Sequence, residues 1–318
     1  MDLLETTYTS TGKKFLRHLG VMHQFQTLRL ASPIQLHIAP TSKCNLKCSF
    51  CSVANRDRHE ELNFPFIVDF VSKLKAQGLE SVEITGGGEP LLYPKFGDLV
   101  KFFTDNLGLK VGLITNGTLL SKADFSALDK LTWIRISLNA LDYVDKVEIP
   151  EFSPNTTLGF SYVVNDDSSE WSYAQLKYYT LKYKPSYVRI LNNCLVDGDK
   201  LKEKNELLKD RISSLGEPFF LQAKTKQRPS NCYLGYFKPF LYCDEYVYPC
   251  SSTVLNIDAE RQFHHKYRLC HASKFIEMYY NPVKSLVDTS LCSGCVYTKQ
   301  NELLDYILSE RTEHEEFI

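Results

Sequence analysis

Three cysteines lie close together near the start of the chain. Cys44, Cys48 and Cys51 form a C-x3-C-x2-C pattern directly after a predicted strand. A loop with this spacing can wrap three thiolates around one inorganic cluster, and a cubane of four irons then keeps one iron open for a chelating cofactor. The alternative is a structural zinc ion, for which His37 or His59 could supply the fourth ligand.

A glycine-rich motif follows the next predicted strand. Residues 85–90 read TGGGEP. The three glycines allow close approach of the backbone to a neighbour or a ligand, and the glutamate adds acceptor oxygens at the strand end. By itself the run indicates no more than a turn. Because it follows the cysteine pattern by one βα unit, the combination of the two motifs is much more specific than either motif alone.

Together the two motifs resemble those of the radical S-adenosylmethionine (SAM) superfamily, over about residues 34–192. The resemblance implies that Cys44, Cys48 and Cys51 hold a [4Fe–4S] cluster whose open iron chelates the amino and carboxylate groups of SAM. It also implies cofactor contacts from residues that follow the first four strands: Phe50, Gly86, Gly87, Gly88, Glu89, Thr115, Asn116, Ser137 and Asn139. Asn139 departs from the acidic residue common at its position.

The implied activity is one-electron chemistry. Reductive cleavage of SAM gives a 5′-deoxyadenosyl radical, which removes a hydrogen atom from an unactivated carbon of the substrate. The electron implies an external one-electron reductant, such as a flavodoxin or a ferredoxin-like protein. Arg189, on the sixth predicted strand, either points inward and binds an anionic group or faces the surface, because the register of that strand is open.

A second set of cysteines occupies the C-terminal third of the chain. Cys232, Cys250, Cys292 and Cys295 end in a C-x2-C pair, and residues 248–250 read YPC. This pattern resembles the SPASM and twitch domains of radical SAM enzymes, which implies one auxiliary [4Fe–4S] cluster of the twitch type. With four protein ligands such a cluster would accept or relay an electron. A zinc ribbon with the same four thiolates is the alternative.

Three cysteines remain outside both patterns. Cys194 follows the sixth strand near the mouth of the predicted barrel, where it is either a hydrogen-atom donor to a product radical or an inert buried thiol. Cys243 lies among the auxiliary ligands in sequence and could replace one of them. Cys270 lies in a histidine-rich run at 264–271, which is either a solvated connection or part of another metal site.

Composition limits the class of protein. The chain has 318 residues, 43% of them hydrophobic, and 37 basic residues against 38 acidic ones. This balance provides no field that would steer the chain to nucleic acid or to an anionic membrane. The N-terminus lacks the basic end and apolar run of a signal peptide, and no window approaches the ~18 apolar residues of a membrane span. We therefore expect a cytoplasmic protein, in which the ten cysteines serve as metal ligands rather than disulfides.

The elements that must position these residues indicate an α/β fold. Short apolar runs alternate with helical periodicity, which favours a partial parallel (β/α)6 barrel followed by a small C-terminal β-hairpin/α cluster-binding domain. Such barrels carry their sites at the carboxyl ends of the strands. The six predicted strands are Ile34–Ile38, Ser81–Thr85, Lys110–Thr115, Trp133–Leu138, Thr157–Val164 and Tyr187–Leu191.

Helical signals lie between most of these strands. An amphipathic helix carrying Phe15, Leu16, Leu19 and Met22 is expected before the first strand, and 141–156 is not expected to form a full helix because it contains two prolines. The other predicted helices run from Asn63 to Gly78, from Phe96 to Gly108, from Ser121 with Asp124, from Ser168 or Ser169 to Leu181, over 199–215 and over 299–312.

These elements divide into three parts. We expect a helical lead-in at 1–33, a radical SAM core at 34–215 and an auxiliary cluster domain with a terminal helix at 216–318. The leading hypothesis is an oxidoreductase acting on a small molecule, with the auxiliary cluster as electron acceptor. A peptide maturase that cross-links or epimerises residues is the second, although 33 residues are too few for the usual peptide-binding domain. Modification of a nucleotide or nucleic acid is the third.

Overall fold

The computed structural model describes residues 3–255, 264–292 and 294–310. In these ranges the strands are β1 Gln35–Ile38, β2 Ser81–Ile84, β3 Lys110–Thr115, β4 Trp133–Ser137, β5 Thr157–Val164, β6 Tyr187–Asn192, β7 Phe219–Leu221, β8 Phe240–Leu241, β9 Tyr246–Tyr248 and β10 Cys270–His271. They form one open sheet in the order β10-β9-β8-β1-β2-β3-β4-β5-β6-β7.

The first six strands confirm the predicted barrel core. Each agrees with its predicted bounds within one residue, and β1 to β6 pair in parallel in chain order. Their apolar side chains are buried against the covering helices, as parallel strands require. β7 was not predicted. It is only three residues long, and it extends the parallel sheet beyond β6.

Helices cover the outer face between successive strands. The α-helices are α1 Leu3–Tyr8, α2 Leu19–Leu28, α3 Phe64–Ala76, α4 Phe96–Lys101, α5 Phe125–Leu128, α6 Glu170–Tyr183, α7 Gly198–Ser213, α8 Leu234–Phe237, α9 His264–Tyr267, α10 Ala272–Phe275 and α11 Thr298–Leu308. A π-turn at Phe102–Asn106 prolongs α4, and short 3₁₀ turns lie at Gly12–Arg17, Pro90–Leu92, Leu120–Lys122, Leu138–Asp142, Ser251–Leu255, Ile276–Tyr280 and Thr289–Leu291.

Most helix predictions are confirmed, with one shifted start. α3 follows Asn63 and ends before Gly78, whose φ of 110° suits glycine alone. The helix expected from Ser121 begins instead after Asp124, whose carboxylate accepts from the Ser126 N–H at 3.0 Å and so caps α5. The stretch after Leu138–Asp142 contains no further helix up to β5, as its prolines indicated.

The prediction of a single amphipathic helix near the N-terminus was wrong. The segment is split at His18 into a 3₁₀ turn and α2. Phe15 and Met22 are buried, but Leu16 and Leu19 are exposed. The break rotates the two halves relative to each other, so residues that would share one face of a continuous helix point in different directions.

The C-terminal hairpin joins the main sheet. β8 pairs in parallel with β1, β9 returns antiparallel to β8, and β10 pairs with β9. The predicted boundary at residue 216 therefore divides one continuous sheet. Within the described residues, no helix combines the length and the apolar character that a bilayer crossing requires.

Candidate functional site

The cysteine loop runs from β1 to α3, and Arg56 holds its backbone. This buried side chain donates from Nε to the Ser42 carbonyl oxygen and from Nη1 to the Val53 carbonyl oxygen, both at 2.7 Å. Its Nη1 also lies 3.6 Å from the Cys51 sulfur. The contact places a cation beside one of the three sulfurs.

Two further contacts fix the ends of the cysteine loop. Arg58 donates to the carbonyl oxygens of Cys44 and Leu46, at 3.3 and 3.4 Å. On the other side, the Ser49 N–H donates to the Tyr143 hydroxyl at 2.9 Å. These side chains were not among the residues predicted from the sequence. The only available signal was the presence of two arginines shortly after the third cysteine.

The glycine loop after β2 packs directly on the cysteine loop. The Glu89 N–H donates to the Lys43 carbonyl oxygen at 2.7 Å. A Cβ atom on Gly88 would lie 1.9 Å from that same oxygen, and one on Gly87 would lie 2.7 Å from Cε2 of Tyr242. Neither distance is compatible with a side chain, so the glycines allow this loop to fit between its two neighbours.

The Glu89 carboxylate is buried and binds the loop after β3. Its Oε1 accepts from the Thr115 hydroxyl at 2.6 Å and from the Leu91 N–H at 3.1 Å, and its Oε2 accepts from the Asn116 N–H at 2.8 Å. Burial raises the pKa of Glu89 more than these hydrogen bonds lower it. Most of its acceptor capacity is thus used within the protein, and its predicted contact with the methionyl amino group stays a prediction.

Asparagine side chains complete the connection between the loops. Asn116 Nδ2 donates to Asn45 Oδ1 at 2.9 Å, and Asn45 Nδ2 donates to Thr118 Oγ1 at 2.8 Å. The loops after β1, β2 and β3 therefore form one hydrogen-bonded unit around the three thiols.

Two cavities open at this unit. The larger has a volume of about 300 Å³ and reaches across the barrel to residues 191–195 at the carboxyl end of β6, which include Cys194; its other lining residues include Cys44, Cys48, Phe50, Cys51, Gly86, Gly87 and Gly88. The smaller has a volume of about 180 Å³ and is lined by Cys44, Cys48, Gly86, Gly88, Glu89, Thr115, Asn116 and Ser137, among others. The structure thus brings together most of the residues that the sequence singled out.

The three thiols fit an iron–sulfur cluster. Burial raises the pKa of Cys44, and burial together with the neighbouring Cys51 and Cys44 raises the pKa of Cys48 to about 12. In the described part of the chain, no three His, Cys, Asp or Glu side chains converge closely enough to hold a single ion. A cubane makes no such demand, because each of its irons takes one thiolate at a separate corner.

The histidines considered as zinc ligands lie elsewhere. His37 is buried in the barrel interior, where its Nε2 pairs with Glu83, and burial lowers its pKa. His59 is exposed, and its backbone N–H donates to the Asp57 carboxylate at 2.9 Å.

Asn139 is buried, and its amide binds β5. Its Oδ1 accepts from the Val163 N–H at 2.7 Å, and its Nδ2 donates to the Val163 carbonyl oxygen at 2.9 Å. It lines neither of the two cavities. Asp142, three residues later, contributes to the raised pKa of Cys48, and its own pKa is raised by burial. This carboxylate was not among the residues predicted from the sequence, because it lies beyond the end of β4.

Arg189 points into the barrel. Its Nη1 donates to the Gln222 amide oxygen at 3.1 Å, and burial lowers its pKa to about 9. The structure therefore resolves the register of β6 in favour of the inward orientation. Arg189 is two residues before Leu191 in the same strand, and Leu191 lines the larger cavity.

The second group of thiols is assembled from distant segments. Burial raises the pKa of Cys232 and Cys250, and raises those of Cys292 and Cys295 to about 11 and about 12; the charge of Cys250 raises the other three further. An antiparallel bridge between Gln227 and Cys295 ties this group to the chain that continues from β7. Because no such group in the described residues converges on a single ion, these four thiols fit a cluster better than the zinc ion of the alternative.

The remaining cysteines belong to neither group. Cys243 lies 3.7 Å from Glu60 Oε2, beside the cysteine loop, rather than with the auxiliary thiols. Cys270 lies in β10, where it pairs with Val247 of β9. The side chains of His264 and His265 lie outside the described residues, so the idea of a further metal site at 264–271 stays open.

Comparison with known proteins identifies the domain that carries this site. Residues 38–150 match the family model described as Radical SAM superfamily. The chain contains a radical SAM domain. The cofactors of such a domain are a [4Fe–4S] cluster and SAM. The matched residues include the cysteine loop, the glycine loop and the loop after β3.

Curated relatives match about a third of the chain. An S-adenosylmethionine-dependent nucleotide dehydratase of Selenomonas ruminantium is 36% identical over 91 residues, which cover 29% of this chain and 32% of the relative. A GTP 3',8-cyclase of Synechocystis is 30% identical over 112 residues, 34% of each chain. The matches span about a third of the length of these relatives.

Solved structures extend the likeness beyond the radical SAM domain. Streptococcus suis SuiB bound to precursor peptide SuiA superposes with a TM-score of 0.59 at 16% identity, over 97% of this chain and 74% of SuiB. At this identity the likeness shows the fold alone. Because it covers nearly the whole chain, the shared fold includes the C-terminal thiol region.

Proposed function

We propose that the chain is a radical SAM enzyme in which Cys44, Cys48 and Cys51 hold the catalytic [4Fe–4S] cluster. The observation that carries the proposal is the larger cavity, which the three thiols and the glycine loop line on one side and Cys194 on the other. A cofactor bound at the open iron would face a substrate in this cavity. When bound, the cluster supplies the electron that cleaves SAM to the 5′-deoxyadenosyl radical.

The protein's own residues supply position and shelter. Arg56 orders the loop and faces the Cys51 sulfur, while Gly86–Gly88 let the backbone approach a bound cofactor. Phe50 lines the same cavity with an apolar ring. Placing the reacting groups at fixed positions and excluding water are the contributions that such a site can make.

The auxiliary thiols favour net oxidation of a small molecule. Cys232, Cys250, Cys292 and Cys295 would hold a second cluster with no open iron, which suits an electron acceptor rather than a substrate site. After hydrogen abstraction, the substrate radical would lose one electron to this cluster and one proton to solvent. The oxidised product then carries one more double bond than the substrate.

Hydrogen-atom donation by Cys194 is an alternative fate for the substrate radical. Its thiol lines the cavity opposite the cysteine loop. If it donated its hydrogen atom to the substrate radical, the product would keep its oxidation level, and the external reductant would return an electron and a proton to the sulfur. Replacing Cys194 by alanine in deuterated water separates the outcomes: loss of solvent deuterium from the product supports donation by Cys194, whereas unchanged product contradicts it.

The first test is the formation of 5′-deoxyadenosine. We expect the anaerobically reconstituted chain to form it from SAM with dithionite, and the Cys44→Ala/Cys48→Ala/Cys51→Ala variant to form none. Cys270→Ala is the matched control, because that thiol lies in β10 with neither group. Persistent cleavage in the triple variant would refute the assignment of the cluster.

A nucleotide is the second candidate substrate. It is favoured by the named activities of the curated relatives, nucleotide dehydratase and GTP 3',8-cyclase. Transfer of deuterium from labelled compounds into 5′-deoxyadenosine identifies the class directly. Nucleotides, peptides and uncharged small molecules are offered in parallel, and the class that labels 5′-deoxyadenosine is the substrate class.

A further inference from the structure

The barrel interior beneath the larger cavity holds more positive than negative charge. Its carboxylate, Glu83, is buried and already meets two cations, Lys238 Nζ at 3.7 Å and Arg135 Nη2 at 3.9 Å. Burial alone would raise the pKa of Glu83, but His37 and these cations hold it well below its usual range. Glu83 is therefore ionised, and its charge is balanced locally.

Three further cations lie on the segments that flank Cys194, although none of the three lines the cavity itself. Arg189 faces inward from β6, and beyond β7 the side chains of Lys224 and Lys226 alternate with the exposed Ala223 and Thr225. The charges of Lys224, Lys226 and Arg189 all lower the pKa of the Cys194 thiol against the larger, opposite effect of burial. The geometry agrees, because the segment that carries the two lysines runs beside the end of β6: the Gln222 N–H donates to the Ile190 carbonyl oxygen, and Lys226 Nζ reaches the carbonyl oxygen of Val196.

Two of these cations contact only neutral oxygen atoms. Arg189 Nη1 donates to the Gln222 amide oxygen at 3.1 Å, and Lys226 Nζ donates to the Val196 carbonyl oxygen at 3.1 Å. The Lys226 side chain also packs closely against Gly294, since a Cβ added to Gly294 would lie only 2.7 Å from the Lys226 Cβ.

Lys224 has an aromatic neighbour instead of a carboxylate. Its Nζ lies 5.5 Å from the centre of the Tyr297 ring. Across residues 3–255, 264–292 and 294–310, no ion pair joins Arg189, Lys224 or Lys226 to a carboxylate. Asp197, exposed at the start of α7, acts on Lys226 only from a longer distance. Glu83, which already meets Lys238 and Arg135, acts on Arg189 in the same way. A buried cation with so little counter-charge costs free energy, which an anionic ligand offsets.

We propose that Arg189, Lys224 and Lys226 bind a phosphate group of a small-molecule substrate beside Cys194. The inference rests on the proposed function, because it assumes that the substrate occupies the cavity. Three cations exceed what one carboxylate could balance, whereas a phosphate ester or diphosphate carries two or more charges. The planar guanidinium can also bind two phosphate oxygens at once.

The geometry places the rest of such a substrate across the cavity from the phosphate. Residues 191–195 and the cysteine loop lie on opposite sides of a space of about 300 Å³, so a phosphate beside Cys194 leaves the carbon skeleton facing the open iron.

Calorimetric titration of the reconstituted holoenzyme with inorganic pyrophosphate tests the inference. We expect saturable binding that weakens about tenfold or more in Arg189→Gln and in Lys226→Gln, because each change removes one desolvated charge from the site. Lys202→Gln, an exposed cation on α7, is the control of equal net charge. Lys226→Arg keeps the charge and should retain binding.

Three results would overturn the inference. They are the absence of pyrophosphate binding to the wild-type protein, equal weakening in Lys202→Gln, and binding of acetate as strong as that of pyrophosphate. Circular dichroism of each variant separates lost binding from lost folding, and Arg189→Lys replaces Arg189→Gln if the latter does not fold. Titration does not depend on SAM cleavage, so a chain that binds pyrophosphate without forming 5′-deoxyadenosine would refute the proposed function alone.

Discussion

The two thiol groups of this chain are built in different ways. Cys44, Cys48 and Cys51 come from one short loop that leaves a barrel strand, and all three line an open cavity. The auxiliary thiols come from three separate segments, and Cys232, Cys250 and Cys295 are buried. An open site can exchange a cofactor, whereas an enclosed one can exchange only electrons. The difference in construction thus agrees with a difference in proposed role.

Removing one thiol from each group breaks the comparison most directly. We expect Cys48→Ala to abolish 5′-deoxyadenosine formation and Cys250→Ala to retain it, while each lowers the iron content from about eight to about four per chain. The reason is that only the first group presents an open iron to SAM. Iron analysis and product quantification provide the measurement. Equal loss of SAM cleavage in both variants would contradict separate roles.

The glycine loop should matter to the first group alone. Gly88→Ala places a Cβ 1.9 Å from the Lys43 carbonyl oxygen, so the cysteine loop must move. We expect SAM cleavage to fall by about 100-fold or more, as misplacement of reacting groups by about 1 Å does, with auxiliary iron retained. Gly20→Ala is the control, since no atom lies within 4 Å of its new Cβ. Normal activity in Gly88→Ala would show that the loops are less tightly coupled than the structure indicates.

Replacing Arg56 tests the first thiol group further, because this side chain lies beside only one of its three sulfurs. Arg56→Gln removes the cation 3.6 Å from the Cys51 sulfur, and we expect a loss of about 10- to 100-fold in cluster retention or SAM cleavage. Arg58→Gln is the matched control, because Arg58 donates only to carbonyl oxygens of the same loop. Iron content after gel filtration is the measurement, and equal effects of the two changes would assign Arg56 a purely structural role.

Thiol alkylation of the metal-free chain compares the two groups without any change of sequence. Cys48 and Cys295 both have pKa values raised to about 12, so their alkylation rates should rise about tenfold per pH unit from pH 7 to pH 10, whereas a free thiol levels off near about 8.5. Cys48 should nevertheless react faster at every pH, because it lines an open cavity and Cys295 is buried. Mass spectrometry of timed samples measures both rates, and a plateau near pH 8.5 for either thiol would contradict its raised pKa.

The sequence by itself determined the first thiol group and the strands that carry it. Short-range spacing decides where Cys44, Cys48 and Cys51 can meet, and apolar runs flanked by helical periodicity decide the six strands. The glycine motif at 86–88 was also visible in the sequence. Only the structure shows why two of these positions need glycine: a side chain on Gly88 would collide with the Lys43 carbonyl oxygen, and one on Gly87 would collide with Tyr242.

Only the tertiary structure decided contacts between residues that are distant along the chain. It directs the Glu89 carboxylate to the loop after β3, the Asn139 amide to β5, and Cys243 to the cysteine loop instead of the auxiliary thiols. It also turns Arg189 inward, where its guanidinium contacts Gln222. Local propensity and spacing carry no information about such long-range pairings, because they arise when the strand ends and the C-terminal hairpin close around the same volume.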